Sequence, residues 1–161
     1  MDDGKDAQNN LYFMLNQALR NRKKNPEAFR EWQGFLYFLM RALNKLPEFK
    51  GIVYRGGNSG LDQDTIQQHY TPGRPIQWGA FSSTSLNIGT TKSFVKKDKG
   101  MLFKIKVLTG RNIGPYSFLP KENEILLTPN TRFVVTSDVY KDKDGYSCVE
   151  LAESKGTTLK A

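Results

Sequence analysis

Lys50-Gly51-Ile52-Val53-Tyr54-Arg55-Gly56-Gly57 is where the chain changes its grammar. Ile52, Val53 and Tyr54 read as a short buried strand that ends on an arginine and two glycines. Upstream of it the apolar residues fall at helical spacing, and downstream they alternate. That switch gives an α+β architecture, with N-terminal amphipathic helices packed on a bent, mainly antiparallel β-sandwich.

Residues 7–21 carry Leu11, Phe13, Met14, Leu15, Ala18 and Leu19 at helical spacing. Asn25-Pro26-Glu27 then reads as a helix start: a capping asparagine, a proline in the first turn and an acid near the positive helix end. The inner face of that helix is Phe29, Trp32, Leu36, Leu39, Leu43 and Leu46, and Pro47 stops it. These aromatics read as core and not as a cofactor box. Beyond the opening strand, residues 58–74 are polar and broken by Gly60, Pro72 and Gly73, a loop with room for one helical turn. Strands are expected over 77–84, 101–108, 124–127, 131–140 and 147–153. A short helix over 87–97 is expected to expose Lys92, Lys96 and Lys97. The length of 161 residues suits a single domain, 1–161, with a helical part (1–49) and a strand-rich part (50–161).

The net charge of +8 suits an anionic ligand or partner, whether a dinucleotide diphosphate, an acidic protein face or nucleic acid. The charge is scattered, however. Residues 20–24 form the densest basic cluster and read as a solvated face, and Lys96, Lys97 and Lys99 form a second. No pattern of interleaved aromatic and basic residues supports nucleic-acid stacking. Cys148 is the only cysteine, so no intramolecular disulfide can form, which is compatible with a reducing compartment. It sits in an alternating stretch and reads as a buried strand residue. His69 is the only histidine, which excludes a metal site built on several imidazoles and speaks against a Ser-His-Asp triad. No apolar run approaches the roughly 20 residues of a membrane span. The start lacks the apolar core of a signal peptide.

Three short motifs carry chemistry. Arg55 at a strand end is a rigid fork for phosphate oxygens, and the glycine after it admits a ligand close to the backbone. Alone, it reads as an ordinary ion pair at a sheet edge. Phe81-Ser82-Ser83-Thr84-Ser85 places Ser83 and Ser85 on one face and Thr84 on the other, where hydroxyls can orient a carboxylate or a sugar. Alone, it is a polar strand end. Glu122-Asn123-Glu124 precedes Ile125-Leu126-Leu127, and in an extended backbone its carboxylates project to one side about 6.6 Å apart. Two acids so placed invite separate roles, one stabilising charge and one handling a proton.

Taken in order, Tyr54-Arg55-Gly56, Ser83-Thr84-Ser85 and Glu122-Asn123-Glu124 resemble the signature of the R-S-E class of mono-ADP-ribosyltransferases, arginine-specific type. Tyr70-Thr71-Pro72-Gly73-Arg74-Pro75 leading into Trp78-Gly79-Ala80-Phe81 is similar to the stretch before the serine motif of the eukaryotic-type members. Tyr116-Ser117-Phe118-Leu119-Pro120-Lys121, running into Ile125-Leu126-Leu127-Thr128-Pro129, is similar to their loop and catalytic strand. The likeness covers about residues 52–135.

The resemblance implies NAD⁺ as substrate, no metal, and transfer of ADP-ribose to an arginine of a target protein with release of nicotinamide. By it, Arg55 holds the diphosphate, the Gly56 backbone bonds the nicotinamide amide and Ser83 orients Glu124. Thr84 and Ser85 support the sheet and ligand. Glu124 stabilises the positive sugar, and Glu122 engages the incoming arginine. Phe94 stands where members place an aromatic that stacks on nicotinamide, with core packing of a short helix the competing reading. Lys97 stands near a phosphate position, with a solvated lysine preferred. Leu119 replaces the aromatic that many toxin members carry three residues before the first acid. The paired cysteines of the secreted vertebrate type are absent, which favours a cytoplasmic working place, although secretion without disulfides is compatible. A histidine where Arg55 stands would be expected of a poly-ADP-ribosylating enzyme. The competing functions are an NAD⁺ glycohydrolase, transfer to a non-arginine or nucleic-acid acceptor, and a non-catalytic NAD-binding module.

Overall fold

The computed structural model describes residues 11–58, 63–97, 99–113 and 124–154. The elements run α1 (Leu11–Arg20), α2 (Pro26–Asn44), β1 (Glu48–Asn58), α3 (Gln63–His69), β2 (Pro75–Trp78), β3 (Ser82–Ser85), α4 (Ile88–Ser93), β4 (Gly100–Asn112), β5 (Glu124–Leu127), β6 (Thr131–Val135), β7 (Tyr140–Lys141) and β8 (Ser147–Glu153). α2 begins as its sequence dictates. Asn25 Oδ1 accepts from Ala28 N at 3.2 Å, and Pro26 occupies the first turn, where a missing N–H has no consequence.

The architecture is α+β, and the sheet is mostly antiparallel. Its order is β1-β3-β5-β4-β8-β6-β2, with β7 on β8 and a further pairing of β1 with β4. Only β4 and β8 run parallel among the described pairs. The pairings β1–β3, β3–β5, β5–β4 and β4–β1 therefore close a circuit, with β4 as its long member. The join between β1 and β3 is confined to Tyr54 opposite Ser85.

Alternation along the strands sends side chains to two separate cores. Val53, Ile105, Ile125, Leu127, Phe133 and Val149 meet Ile66 of α3 in one cluster. Leu126, between two residues of that cluster, points the other way and joins Phe81, Leu15 and Leu19 of α1 and Leu43 of α2. α1 and α2 thus cover the face of β3 and β5 that the first core does not.

Four expected elements differ. The strand expected over 77–84 is two, β2 and β3, because α1 takes the backbone between them. Asn16, buried at 3% exposure, accepts from Phe81 N at 3.0 Å and donates to Phe81 O at 3.2 Å. Arg22 Nη1 donates to Gly79 O at 3.1 Å and to Leu19 O, and its Nη2 donates to Asn130 Oδ1 at 2.9 Å. The basic run at 20–24 is therefore not simply a solvated face. The strand expected over 131–140 stops at Val135: Ser137 Oγ accepts from Glu150 N, and a side chain replaces the next ladder partner. The loop expected over 58–74 contains α3, anchored by Ile66 at 1% exposure. The short strand at Ile52-Val53-Tyr54 is an eleven-residue one, because the thirteen residues of β4 lie beside it.

Candidate active site

One cross-strand row sets the register of the site: Tyr54 lies opposite Ser85, and Ser85 opposite Glu124. Residues two apart share a face, so Ser83 points as Ser85 and Glu124 do. Ser83 Oγ donates to Glu124 Oε1 at 2.5 Å, a charge-assisted hydrogen bond that fixes the carboxylate's rotamer. Thr84 faces the core at 4% exposure and donates to Ile125 O at 2.6 Å, stitching β3 to β5. Ser85 Oγ accepts from Asn87 N at 3.0 Å and so turns the chain into α4. Asn87 caps that helix, accepting from Gly89 N and Thr90 N.

Arg55 spans the gap between β1 and β3. Its Nη1 donates to Ser83 O at 2.8 Å, and its Cζ lies 5.7 Å from the centre of the Trp78 ring. The guanidinium is held by the strand that also holds Ser83, with an aromatic face behind it. Gly56 has Val95 closed over it and no room for a side chain.

Two cavities meet at Arg55. The smaller, about 190 Å³, is lined by Tyr54, Arg55, Gly56, Ser83, Thr84, Ser85, Thr90, Thr91, Phe94 and Glu124. The larger, about 660 Å³, is lined by Arg20, Arg22, Lys23, Arg55, Tyr70, Gln77 and Trp78 among others. The structure therefore brings together seven residues singled out by the sequence: Arg55, Gly56, Ser83, Thr84, Ser85, Phe94 and Glu124. Glu122 lies outside the described residues, as do Tyr116, Phe118 and Leu119. Phe94 is 68% exposed at the end of α4, so it is not core; its neighbour Val95 is, at 7%.

Arg20, Arg22 and Lys23 on the larger cavity were not singled out as ligand contacts. Their signal was the basic cluster itself, but only the fold sets it beside Arg55. Lys92 was expected in solvent and instead lies between Asp142 and Asp144. Lys97 holds its ammonium 5.2 Å from the centre of the Tyr146 ring. Cys148 is 3% exposed, and burial pushes its thiol up to about 11, the setting of an inert strand residue. Among the described residues no group of three or more histidines, cysteines or carboxylates is placed to hold a metal ion. Among them, too, no helix is long and apolar enough to cross a membrane.

Comparison with known proteins shows the family of the chain. A family model described as NAD:arginine ADP-ribosyltransferase matches residues 6–158. T-cell ecto-ADP-ribosyltransferase 2 of Mus musculus is 33% identical over 121 residues, 73% of this chain and 39% of the relative. T-cell ecto-ADP-ribosyltransferase 1 of Rattus norvegicus is 31% identical over 156 residues, 89% of this chain and 53% of the relative. The Mav protein of Mycobacterium avium (strain 104) is 35% identical over 144 residues, 88% of this chain and 16% of the relative. The chain thus spans about half the length of these relatives or less. Among solved structures, the Vis toxin, an ADP-ribosyltransferase from Vibrio splendidus, superposes with a TM-score of 0.71 at 25% identity, over 96% of this chain and 72% of that one. With the model matched along nearly its whole length, the chain belongs to the NAD:arginine ADP-ribosyltransferase family.

Proposed function

We propose that this chain transfers ADP-ribose from NAD⁺ to an arginine of a target protein and releases nicotinamide. The observation that carries the reading is the hydrogen bond from Ser83 to Glu124, on a strand that Arg55 also grips. The chain is read as one catalytic domain, 1–161, its closed circuit of strands forming the bent sandwich of this fold type.

NAD⁺ lies across both cavities in this reading. Its diphosphate meets Arg55 where the two join, with Arg20, Arg22 and Lys23 lining the larger cavity to supply positive potential. Its nicotinamide and adjoining ribose enter the smaller cavity, beside the Gly56 backbone and Phe94. The bond from the ribose C1′ to the nicotinamide nitrogen then breaks, and its electron pair leaves with neutral nicotinamide. Positive charge develops on the sugar. The Glu124 carboxylate stabilises that charge more than the ground state, which lowers the barrier instead of merely tightening binding. A guanidinium nitrogen of the target arginine attacks C1′, forming the new C–N bond, and its proton passes to Glu122. Ser83 holds Glu124 in place, while Thr84 and Ser85 keep β3 in register. The role given to Glu122 rests on its position two residues before Glu124 and on the family.

The preference for arginine agrees with the Vis toxin, whose structure has been solved in complex with agmatine. The lone Cys148 is compatible with a cytoplasmic working place, in a source or host cell. The test is labelled NAD⁺ with and without agmatine, comparing the wild type with Glu122→Gln and Glu124→Gln. Glu124→Gln is expected to abolish both transfer and nicotinamide release. Glu122→Gln is expected to lose transfer while retaining hydrolysis. Full activity of Glu124→Gln would overturn the reading, and transfer by Glu122→Gln would remove the role given to that residue.

A further inference from the structure

α4 has six residues, too few to be stable alone, yet it walls the cavity that holds Glu124. Thr90 and Thr91 line that cavity from the helix and Phe94 from its C-terminal end. What fixes the helix against the sheet sets the shape of the wall.

Lys92 does this from the opposite side. Its ammonium lies 2.9 Å from Asp142 Oδ2 and 2.7 Å from Asp144 Oδ2, and 5.3 Å from the centre of the Tyr146 ring. The Lys92 and Asp142 side chains are each only 17% exposed. Tyr146 Oη donates to the Lys92 carbonyl at 3.4 Å, and Lys97 reaches the same ring. The acidic turn is shaped independently of the lysine: Asp142 Oδ1 accepts from Asp144 N and from Tyr146 N, both at 2.9 Å. A preformed turn at the start of β8 thus grips the last turn of α4, fifty residues away in sequence. A partly exposed ion pair adds little to global stability, so its effect falls on the short helix it holds.

We propose that Lys92 is a positioning residue for NAD⁺. Clamped by Asp142 and Asp144, it fixes the placement of α4 and thereby holds Thr90, Thr91 and Phe94 at the spacing that the nicotinamide end of NAD⁺ requires. The inference rests on the reading of the smaller cavity given above.

The test compares Lys92→Met, Lys92→Arg and Asp144→Asn with the wild type in three measurements. These are Kd for carba-NAD by titration calorimetry, KM and kcat for NAD⁺ with agmatine as acceptor, and Tm. Lys92→Met is expected to raise Kd and KM about tenfold with kcat within about twofold, since the wall is misplaced while Glu124 is not. Lys92→Arg is expected to restore both to within about twofold of the wild type, and Asp144→Asn to raise them about threefold. If Lys92→Met does not fold, Asp144→Asn decides. Unchanged Kd in folded Lys92→Met or in Asp144→Asn overturns the proposal, as does a fall in kcat at constant KM or a failure of arginine to restore binding. A wild type that neither binds carba-NAD nor modifies agmatine overturns the reading of the cavity and the latch together. Normal wild-type activity with unchanged binding in Lys92→Met overturns the latch alone.

Discussion

Val95 Cγ2 stands 2.3 Å from the point that a Cβ on residue 56 would occupy. The position must be glycine for reasons of space, independent of any ligand. Gly56→Ala is expected to push the segment after α4 off the sheet and lower stability by about 1–3 kcal/mol, as overpacking does. NAD⁺ turnover should fall with it, because Thr91 and Phe94 move too. Pairing the substitution with Val95→Ala should recover most of the loss in urea denaturation. No recovery would mean that the clash is relieved elsewhere.

Ser83→Ala removes the donor to Glu124 Oε1 and leaves that carboxylate free to rotate. A hydrogen bond to a charged group contributes about 1.5–3 kcal/mol, so kcat is expected to fall roughly 10- to 100-fold. The midpoint of thermal unfolding should barely change. An unaltered kcat would show that Glu124 is oriented without the serine.

Asn16→Ala removes the side chain that bonds both Phe81 N and Phe81 O, at a site 3% exposed. A hydrogen bond contributes about 0.5–1.5 kcal/mol net, and a loss of about 1–3 kcal/mol is expected by denaturant titration. Because Phe81 lies two residues before Ser83, activity should drop as well. A surface-like loss below about 0.5 kcal/mol would show that water replaces the amide.

The strands over 124–127 and 147–153 could be bounded from sequence because their patterning is local. Leu126 and Val149 sit in alternating or continuous apolar runs ended by Thr128 and Ser154. The proposed catalytic trio was legible because Arg55, Ser83 and Glu124 each mark a strand in the order that the family resemblance requires. What escaped was what depends on distant partners. Asn16 and Arg22 end β2 from 57 to 65 positions away, and nothing near Gly79 announces it. α3 lacked a periodic face, since Ile66 alone is buried among its described side chains. Lys92 looked like any helix-surface lysine until the turn at 142–144 came beside it.

That same ion-pair cluster has a definite pH window. Hydrogen bonding to Lys92 holds the Asp144 carboxyl below its ordinary 3.8. At Asp142 burial pushes upward, but Lys92 and the N–H groups of Tyr146 and Asp144 outweigh it, and it too is lowered. Bonds to Asp144 and Asp142 raise the Lys92 ammonium. A lowered carboxylate stabilises above its unfolded value and loses that contribution as pH falls through its folded one. A raised lysine stabilises below its unfolded value and loses its contribution only in strong alkali. A small difference in Tm between the wild type and Asp142→Asn/Asp144→Asn is therefore expected, flat from about pH 5 to 9 and closing below about pH 4. A difference that persists at about pH 2 would mean that packing, not charge, holds the turn.

Cys148 offers a further check, because burial raises its thiol to about 11 and leaves almost no thiolate at neutral pH. Iodoacetamide at about pH 7.5 is expected to leave the folded chain unlabelled and to label it once in urea. Fast labelling of the native protein would indicate that β8 opens locally.

Among the described residues Tyr54 and Ser85 form the one rung between β1 and β3, and that gives the sheet a seam, like a book open at its stitching. The long ladder from β1 to β4 is its spine, and β3 is held instead by its ladder to β5, which β4 pairs in turn. Arg55 reaches across that seam, its Nη1 donating to Ser83 O at 2.8 Å. In the reading proposed above, a dinucleotide seated at Arg55 would touch both strands where a single rung joins them, and so would brace the seam as it binds.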